Sequence, residues 1–168
     1  TTEEGTAGTQ LSTDIQYGSF DSRRVAFKAA GDTGGLNYLL SDSRFDTDGY
    51  REHSAARRDT LNAKLRIATG PDSALTLVGN SLDMPDSQDP QGLTEAQWRA
   101  NPKQAAANAL IYNTRKSNAQ QQIGLNWQHA LSAQHHLQVS TWGGQRTVRQ
   151  YQSIPFGVQG NPSHPGGI

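Results

Sequence analysis

The chain has 168 residues, enough for one ordinary domain, and its 15 basic and 15 acidic residues cancel. This balance gives no long-range field that would attract nucleic acid, so we expect no nucleic-acid partner. Apolar residues make up 33% of the chain and charged residues 18%, and there is no cysteine. A fold that buries alternate residues and leaves its other face wet fits these low values, and disulfides do not hold it together.

Seven extended segments are predicted, because apolar and polar residues alternate along each of them. The segments cover about 9–20, 23–30, 36–46, 59–69, 73–83, 118–130 and 135–152. A long insertion at about 84–116 contains Thr94 followed by Gln97, the pattern of a capping box at a helix start. Pro102 should limit that helix to a turn or two. The tail after residue 152 is rich in proline and glycine and is predicted to be a loop.

The connections between these segments are of two kinds. Those after the second, fourth and sixth segments are short, and those after the third, fifth and seventh are long; only the first, "FDSRR", is unexpectedly tight. In an up-and-down meander, alternate connections lie at the same end, and transmembrane barrels sort short turns and long loops in this way. Most segments also reach the roughly 9–11 residues that cross a bilayer. We therefore predict an all-β, antiparallel up-and-down meander of about seven strands that is part of a large transmembrane β-barrel.

The polar face of the strands allows more than one interpretation. It carries Arg24, Lys28, Asn37, Asn62, Lys64, Arg66, Asn126, Gln128 and Gln138. This face fits the polar lumen of a wide barrel, in which case the apolar residues face lipid. It equally fits the solvent face of a secreted or surface β-sandwich that binds sugar or protein, in which case the apolar residues pack against a second sheet. A passive porin or autotransporter wall is a third possibility.

Three stretches of the sequence resemble a known family. "GLNYLLSDSRFDTDGYREHSAARRDTLNAKLRI", "SALTLVGNSLDMPDSQDPQGLT" and "YNTRKS" before a Gln-rich strand are similar to the early barrel of TonB-dependent outer-membrane receptors. The resemblance extends over nearly the whole chain. It implies a receptor in the outer membrane of a Gram-negative cell, in contact with membrane lipid, that takes up a ferric siderophore or related metal complex. It also implies that TonB supplies the energy through a plug domain.

Receptors of this family hold an N-terminal plug inside a barrel of about 22 strands. Residues 1–168 contain no segment that reads as a plug, and about seven strands cannot close so wide a barrel. We therefore expect residues 1–168 to be the N-terminal portion of the barrel, with the plug before Thr1 and most of the barrel after residue 168.

Aromatic and cationic residues in the long loops are the candidate ligand contacts. They are Tyr50, Arg51, His53, Trp98, Arg99, Tyr112, Arg115 and Phe156. Such groups suit a flat, anionic chelate through charge and stacking. The alternative is that the aromatic residues form the interfacial girdle of the barrel and the cations face lipid head groups or lumen water.

No enzymatic or metal site is expected. His135 and His136 are neighbours on a strand and should point to opposite faces, so they would not share one metal ion. The glycine-rich stretches "DTGG" and "WGG" lack the lysine and following helix of a phosphate-binding loop. Gly143 and Gly144 are instead predicted to mark a bend or bulge in the last strand. The sequence predicts no catalytic residue, no bound metal and no cofactor.

Overall fold

The computed structural model describes residues 3–154 and forms one antiparallel sheet in the order β1-β2-β3-β4-β5-β6-β7. The strands are β1 (Gly8–Gly18), β2 (Ser22–Asp32), β3 (Leu36–Thr47), β4 (Ala56–Gly70), β5 (Ser73–Gln88), β6 (Arg115–Ala130) and β7 (His136–Tyr151). Each strand pairs with its neighbour in sequence, which confirms the predicted all-β up-and-down meander. Among the described residues, β1 and β7 do not pair with each other, so the sheet is open.

Three strands are longer at the loop end than the sequence predicts. The fourth begins at residue 56 rather than 59, the fifth reaches residue 88 rather than 83, and the sixth begins at residue 115 rather than 118. The register of the strand pairing shifts at two points in these extensions, one between Ala56 and Asp59 and one between Met84 and Ser87. Backbone pairing therefore continues past the point where the apolar alternation ends, and the insertion shrinks to residues 89–114.

The insertion contains two short helices, α1 (Glu95–Ala100) and α2 (Ala107–Tyr112). The first begins at the predicted capping box, where Gln97 N donates to Thr94 Oγ1 at 3.3 Å and Thr94 N donates to Gln97 Oε1 at 2.9 Å. It ends before Pro102, as expected. The second helix has no such sequence signature and was not predicted. In the described part of the chain, neither helix has the length and apolarity needed to span a membrane.

The register divides the side chains into two faces. Leu65 lies beside Tyr38 on β3 and beside Leu77 on β5, and this row defines the apolar face. That face carries large exposed side chains: Leu11, Ile15, Val25, Phe27, Leu36, Leu40, Leu61, Leu65, Ile123, Leu137 and Val139. The opposite, polar face holds the buried side chains of the sheet: Ala30, Asn37, Leu39 and Lys64. Along β2 and β3, the apolar face is thus the more exposed of the two faces, whereas β1 and β7 are exposed on both.

Residues 3–7, just before β1, lie over the polar face. Gly5 N donates to Asn37 Oδ1 at 3.0 Å, and Asn37 Nδ2 donates back to Gly5 O at 2.8 Å. Lys64 Nζ pairs with Glu4 Oε1 at 3.1 Å. These contacts satisfy the amide and the ammonium group, which explains how both side chains can be buried.

The sequence predicted a bend or a bulge at Gly143 and Gly144, and the bulge is wrong. The ladder from β6 to β7 is continuous there, with Gln122 opposite Gly144 and Ile123 opposite Gly143. A Cβ atom at Gly144 would lie 2.5 Å from the carbonyl oxygen of Gln121, whereas one at Gly143 would meet nothing within 4 Å. Gly144 therefore allows a close approach of two backbones, which is the other role of glycine in a strand.

Candidate functional site

The loop end of the sheet brings together two connections, residues 48–55 between β3 and β4 and the insertion 89–114. Arg51 joins them with three hydrogen bonds to carbonyl oxygens. Its Nη1 donates to Gln91 at 2.7 Å, its Nε to Gln104 at 3.0 Å and its Nη2 to Pro90 at 3.2 Å. The guanidinium group thus uses a planar fork of donors to fix one loop on the other.

His53 and Glu52 add to this junction. His53 Nε2 lies 2.8 Å from the carbonyl oxygen of Thr114, and Glu52 N donates to the carbonyl oxygen of Lys103 at 2.7 Å. The tight path of the shorter loop requires Gly49, which has a φ of +79° and no room for a Cβ beside Ser54. Arg51 and His53 were predicted as ligand contacts. Their polar atoms are engaged between the loops, so they hold the site together, and direct contact with a ligand stays a prediction.

Two aromatic rings and one cation form a cluster at this junction. The rings of Phe20 and Tyr50 meet edge to face, with centroids 5.4 Å apart and an interplanar angle of 87°. Lys103 Nζ lies 6.0 Å from the first centroid and 5.9 Å from the second. These distances are within the range in which a cation is attracted to the face of an aromatic ring.

The backbone that carries Phe20 is unusual. Phe20 and Asp21 have φ values of 61° and 51°, and Ser22 N donates to the carbonyl oxygen of Ser19 at 3.2 Å. Two positive φ values inside a four-residue turn are typical of type I′, which normally uses asparagine and glycine. A phenylalanine in this conformation is strained. The strain is offset in part by Asp48 N, which donates to the carbonyl oxygen of Phe20 at 2.9 Å.

A cleft of about 380 Å³ opens beside this cluster, lined by Tyr50, Arg51, Leu93, Thr94, Glu95, Trp98 and Pro102. Trp98 is 56% exposed and Tyr50 is 49% exposed. Three of the predicted contacts, on two loops, therefore border one cleft with aromatic faces open to solvent. Such a surface can stack on a flat ligand.

No protein-family model matches the chain. Among the described residues, no three His, Asp or Glu side chains are grouped so as to hold a metal ion.

The other predicted contacts are placed differently. Arg99 Nη2 pairs with Glu95 at 2.7 Å along α1, and both side chains are largely exposed. Arg115 lies at the start of β6, where its guanidinium group stacks 4.0 Å above the ring of Tyr151. Tyr112 ends α2 and is exposed. None of these three borders the cleft, and Phe156 lies outside the described residues.

Sequence reasoning missed Phe20 and Lys103. Phe20 was assigned to the end of the first strand, but β1 ends at Gly18 and the ring belongs to the turn. Lys103 follows Pro102 in a stretch without periodicity, so the local sequence did not indicate that Lys103 lies beside two aromatic rings. Its position is decided by contacts between loops that are far apart in sequence.

Proposed function

We propose that this chain is part of the wall and outer loops of an outer-membrane β-barrel receptor. The receptor takes up a ferric siderophore or a similar metal complex with energy supplied by TonB. The observation that carries this proposal is the reversal of ordinary burial in β2 and β3. Along β2, Val25 and Phe27 are 50% and 41% exposed, while Arg24 and Lys28, which flank them, are more buried.

Water is a poor solvent for the apolar face. Each fully exposed large apolar side chain forgoes about 1.5–3 kcal/mol of burial free energy. The face carries many large side chains that are at least partly exposed: Leu11, Ile15, Tyr17, Val25, Phe27, Leu36, Leu40, Leu61, Leu65, Ile123, Leu137, Val139 and Tyr151. Lipid removes this cost, because the wall of a membrane barrel alternates apolar residues outward with polar residues inward. The burial pattern therefore supports a lipid-facing wall.

Most charged residues of the apolar face lie at its loop end, and Asp42, opposite Leu61, lies at the border of this charged region. Asp59 Oδ1 pairs with Arg44 Nε at 2.6 Å, and its Oδ2 pairs with Arg57 Nη2 at 2.7 Å. On the tight-turn side of this network, β4 continues through residues 61–70, the length that crosses a bilayer at a tilt. In the proposed receptor, residues 56–60 project beyond the membrane and raise the loops into the external water.

The cleft at the loop end supports the ligand part of the proposal. Its aromatic faces, with Lys103 beside the ring of Tyr50, suit a flat chelate with negative charge. Energy transfer from TonB and the role of a plug rest on the family resemblance of the sequence.

The orientation of the wall can be tested with two adjacent spin labels, introduced by Leu65→Cys and Arg66→Cys in the protein as its gene encodes it, with any native cysteine removed. Leu65 lies on the apolar face and Arg66 on the polar face. After reconstitution in lipid vesicles, we expect the label at residue 65 to collide with oxygen, which concentrates in lipid. The label at residue 66 should collide with a water-soluble nickel complex. If residue 65 is shielded from both reagents, it packs against protein, which favours the β-sandwich and refutes the wall.

Ligand uptake needs its own experiment. Cells that carry the double variant Tyr50→Ala with Trp98→Ala should take up less iron from a panel of radioiron-loaded hydroxamate, catecholate and citrate chelates. Arg99→Ala is the matched control, since this side chain is in the same insertion but does not border the cleft. Equal uptake by both variants, at equal surface abundance, would refute the assignment of the cleft.

A further inference from the structure

Strained backbone is concentrated at the loop end of the sheet. Within residues 3–154, five residues other than glycine have a positive φ, and all five lie in the connections at this end: Phe20, Asp21, His53, Gln91 and Asn113. At the opposite end, the turn between β2 and β3 uses Gly34 for its positive φ, which glycine adopts without strain. Strained conformations persist where the surrounding contacts hold them, and they cluster at binding sites.

Phe20 has the largest apolar side chain of the five. It lies in the shortest connection at the loop end, residues 19–21 between β1 and β2. A type I′ turn of this kind forms more easily with asparagine or glycine at residue 20. The phenylalanine does not improve the turn itself, so its contribution is in its contacts with the neighbouring loop.

The carbonyl oxygen of Phe20 anchors the start of the loop at residues 48–55. Asp48 N donates to it at 2.9 Å, and Thr47 Oγ1 donates to it at 3.3 Å. Thr47 Oγ1 in turn accepts a hydrogen bond from Gly49 N at 3.1 Å. The first two residues of the loop, directly before Tyr50, are therefore tied to the turn.

The ring of Phe20 supports the ring of Tyr50. The two meet edge to face at 5.4 Å, a geometry that stabilises an aromatic pair beyond its buried area. Lys103 Nζ lies about equally far from both centroids, at 6.0 and 5.9 Å, and adds the attraction of a cation for the rings. Tyr50 lines the cleft and Phe20 does not. Phe20 can therefore act on the cleft only through Tyr50.

We propose that Phe20 is a positioning residue, which holds the ring of Tyr50 in the orientation that a flat ligand in the cleft requires. Its carbonyl oxygen fixes the start of the loop, and its ring fixes the plane of the Tyr50 ring. The strained backbone at residue 20 is retained because it carries that ring. A ring that is already held in place lowers the conformational entropy that binding must remove. This proposal rests on the proposed function of the cleft and adds a residue that sets affinity without touching the ligand.

Two glycine variants separate the ring from the strain. Phe20→Gly and Asp21→Gly each put glycine at a positive φ of the same turn, but only the first removes a ring from Tyr50. The probe is the radioiron-loaded hydroxamate, catecholate or citrate chelate that the unmodified full protein binds most tightly in a nonionic detergent. We expect Phe20→Gly to weaken its binding by about two- to tenfold. Asp21→Gly should leave the affinity unchanged, and Phe20→Tyr, which keeps a ring, should bind as the unmodified protein does.

A measurement without ligand detects the orientation of the Tyr50 ring directly. In protein labelled with 3-fluorotyrosine, the fluorine NMR signal of Tyr50 is assigned by its loss in Tyr50→Phe. This signal should shift in Phe20→Gly, because the neighbouring ring is lost, and should stay in place in Asp21→Gly.

Two results would overturn the positioning role while the unmodified protein still binds a chelate. One is an unchanged fluorine signal in Phe20→Gly, and the other is an equal affinity of the two glycine variants for the chelate. A different result, in which the unmodified protein binds no chelate of the three classes, would refute the proposed function of the cleft and the role of Phe20 in binding with it.

Discussion

Leu61 and Leu65 offer a comparison that separates the effect of lipid from that of protein packing. They are four residues apart on the same face of β4, and their exposed fractions are almost equal, 42% and 39%. Either substitution replaces a leucine by an arginine, and the two leucines are in contact with protein to the same degree. Protein packing alone therefore predicts equal losses of stability for Leu61→Arg and Leu65→Arg.

A bilayer predicts a difference. Leu65 lies near the middle of residues 61–70, whereas Leu61 adjoins the charged end of the strand, where Asp59 pairs with Arg44. An arginine on the lipid face costs about 2–4 kcal/mol at the midplane and about 0–1 kcal/mol near the interface. We therefore expect Leu65→Arg to lower the free energy of unfolding by about 2 kcal/mol more than Leu61→Arg.

The assay is urea unfolding of the protein folded into lipid vesicles, monitored by the loss of strand signal. Gln122→Arg is the control, because Gln122 is exposed on the polar face and should accept an arginine with little change. Equal losses for Leu61→Arg and Leu65→Arg would refute the lipid-facing wall, because a bilayer penalises an arginine more at its midplane than near its interface.

Three other changes test local features of the fold, two with the same unfolding measurement and the third by hydrogen exchange. Gly144→Ala should lower the free energy of unfolding by about 1–3 kcal/mol, because its Cβ would press on the backbone of β6. Gly143→Ala is the control and should be nearly neutral, because the space around Gly143 is open. Similar losses for the two variants would contradict the close approach of the backbones at Gly144. Asp21→Gly should stabilise the protein by about 1 kcal/mol by relieving a positive φ; a loss of stability would argue against the type I′ turn. Arg51→Met should leave three part-buried carbonyl oxygens without their donor and speed amide hydrogen exchange at Glu52, measured by mass spectrometry. Arg99→Met is the control for this variant. Arg99 forms an exposed ion pair with Glu95, so its loss should change the free energy of unfolding by less than about 0.5 kcal/mol.

The predicted contacts near the outer loops divide into two groups. Tyr50 and Trp98 present open aromatic faces to one cleft, as residues that touch a ligand must. Arg51 and His53 hold the two loops together through backbone carbonyls. Composition could select all four, because aromatic and cationic residues are common at binding sites. It could not separate those that would contact a ligand from those that position the loops.

The sequence by itself determined the seven strands, their order and the sorting of short and long connections. The physical reason is that alternation with a period of two is local, and that strands joined by short turns pair with their neighbours. Leu61, Ala63 and Leu65 mark their face without reference to any other part of the chain.

Only the tertiary structure decided the strand ends and the sites, because these depend on partners distant in sequence. Residues 56–58 join β4 because Phe45, Asp46 and Thr47 of β3 pair with them, not because of their own pattern. Lys64 is buried because Glu4, sixty residues earlier, lies over it. Lys103 meets Tyr50 because Arg51 joins their two loops. Each of these contacts brings together groups whose sequence separation exceeds the range of any local pattern.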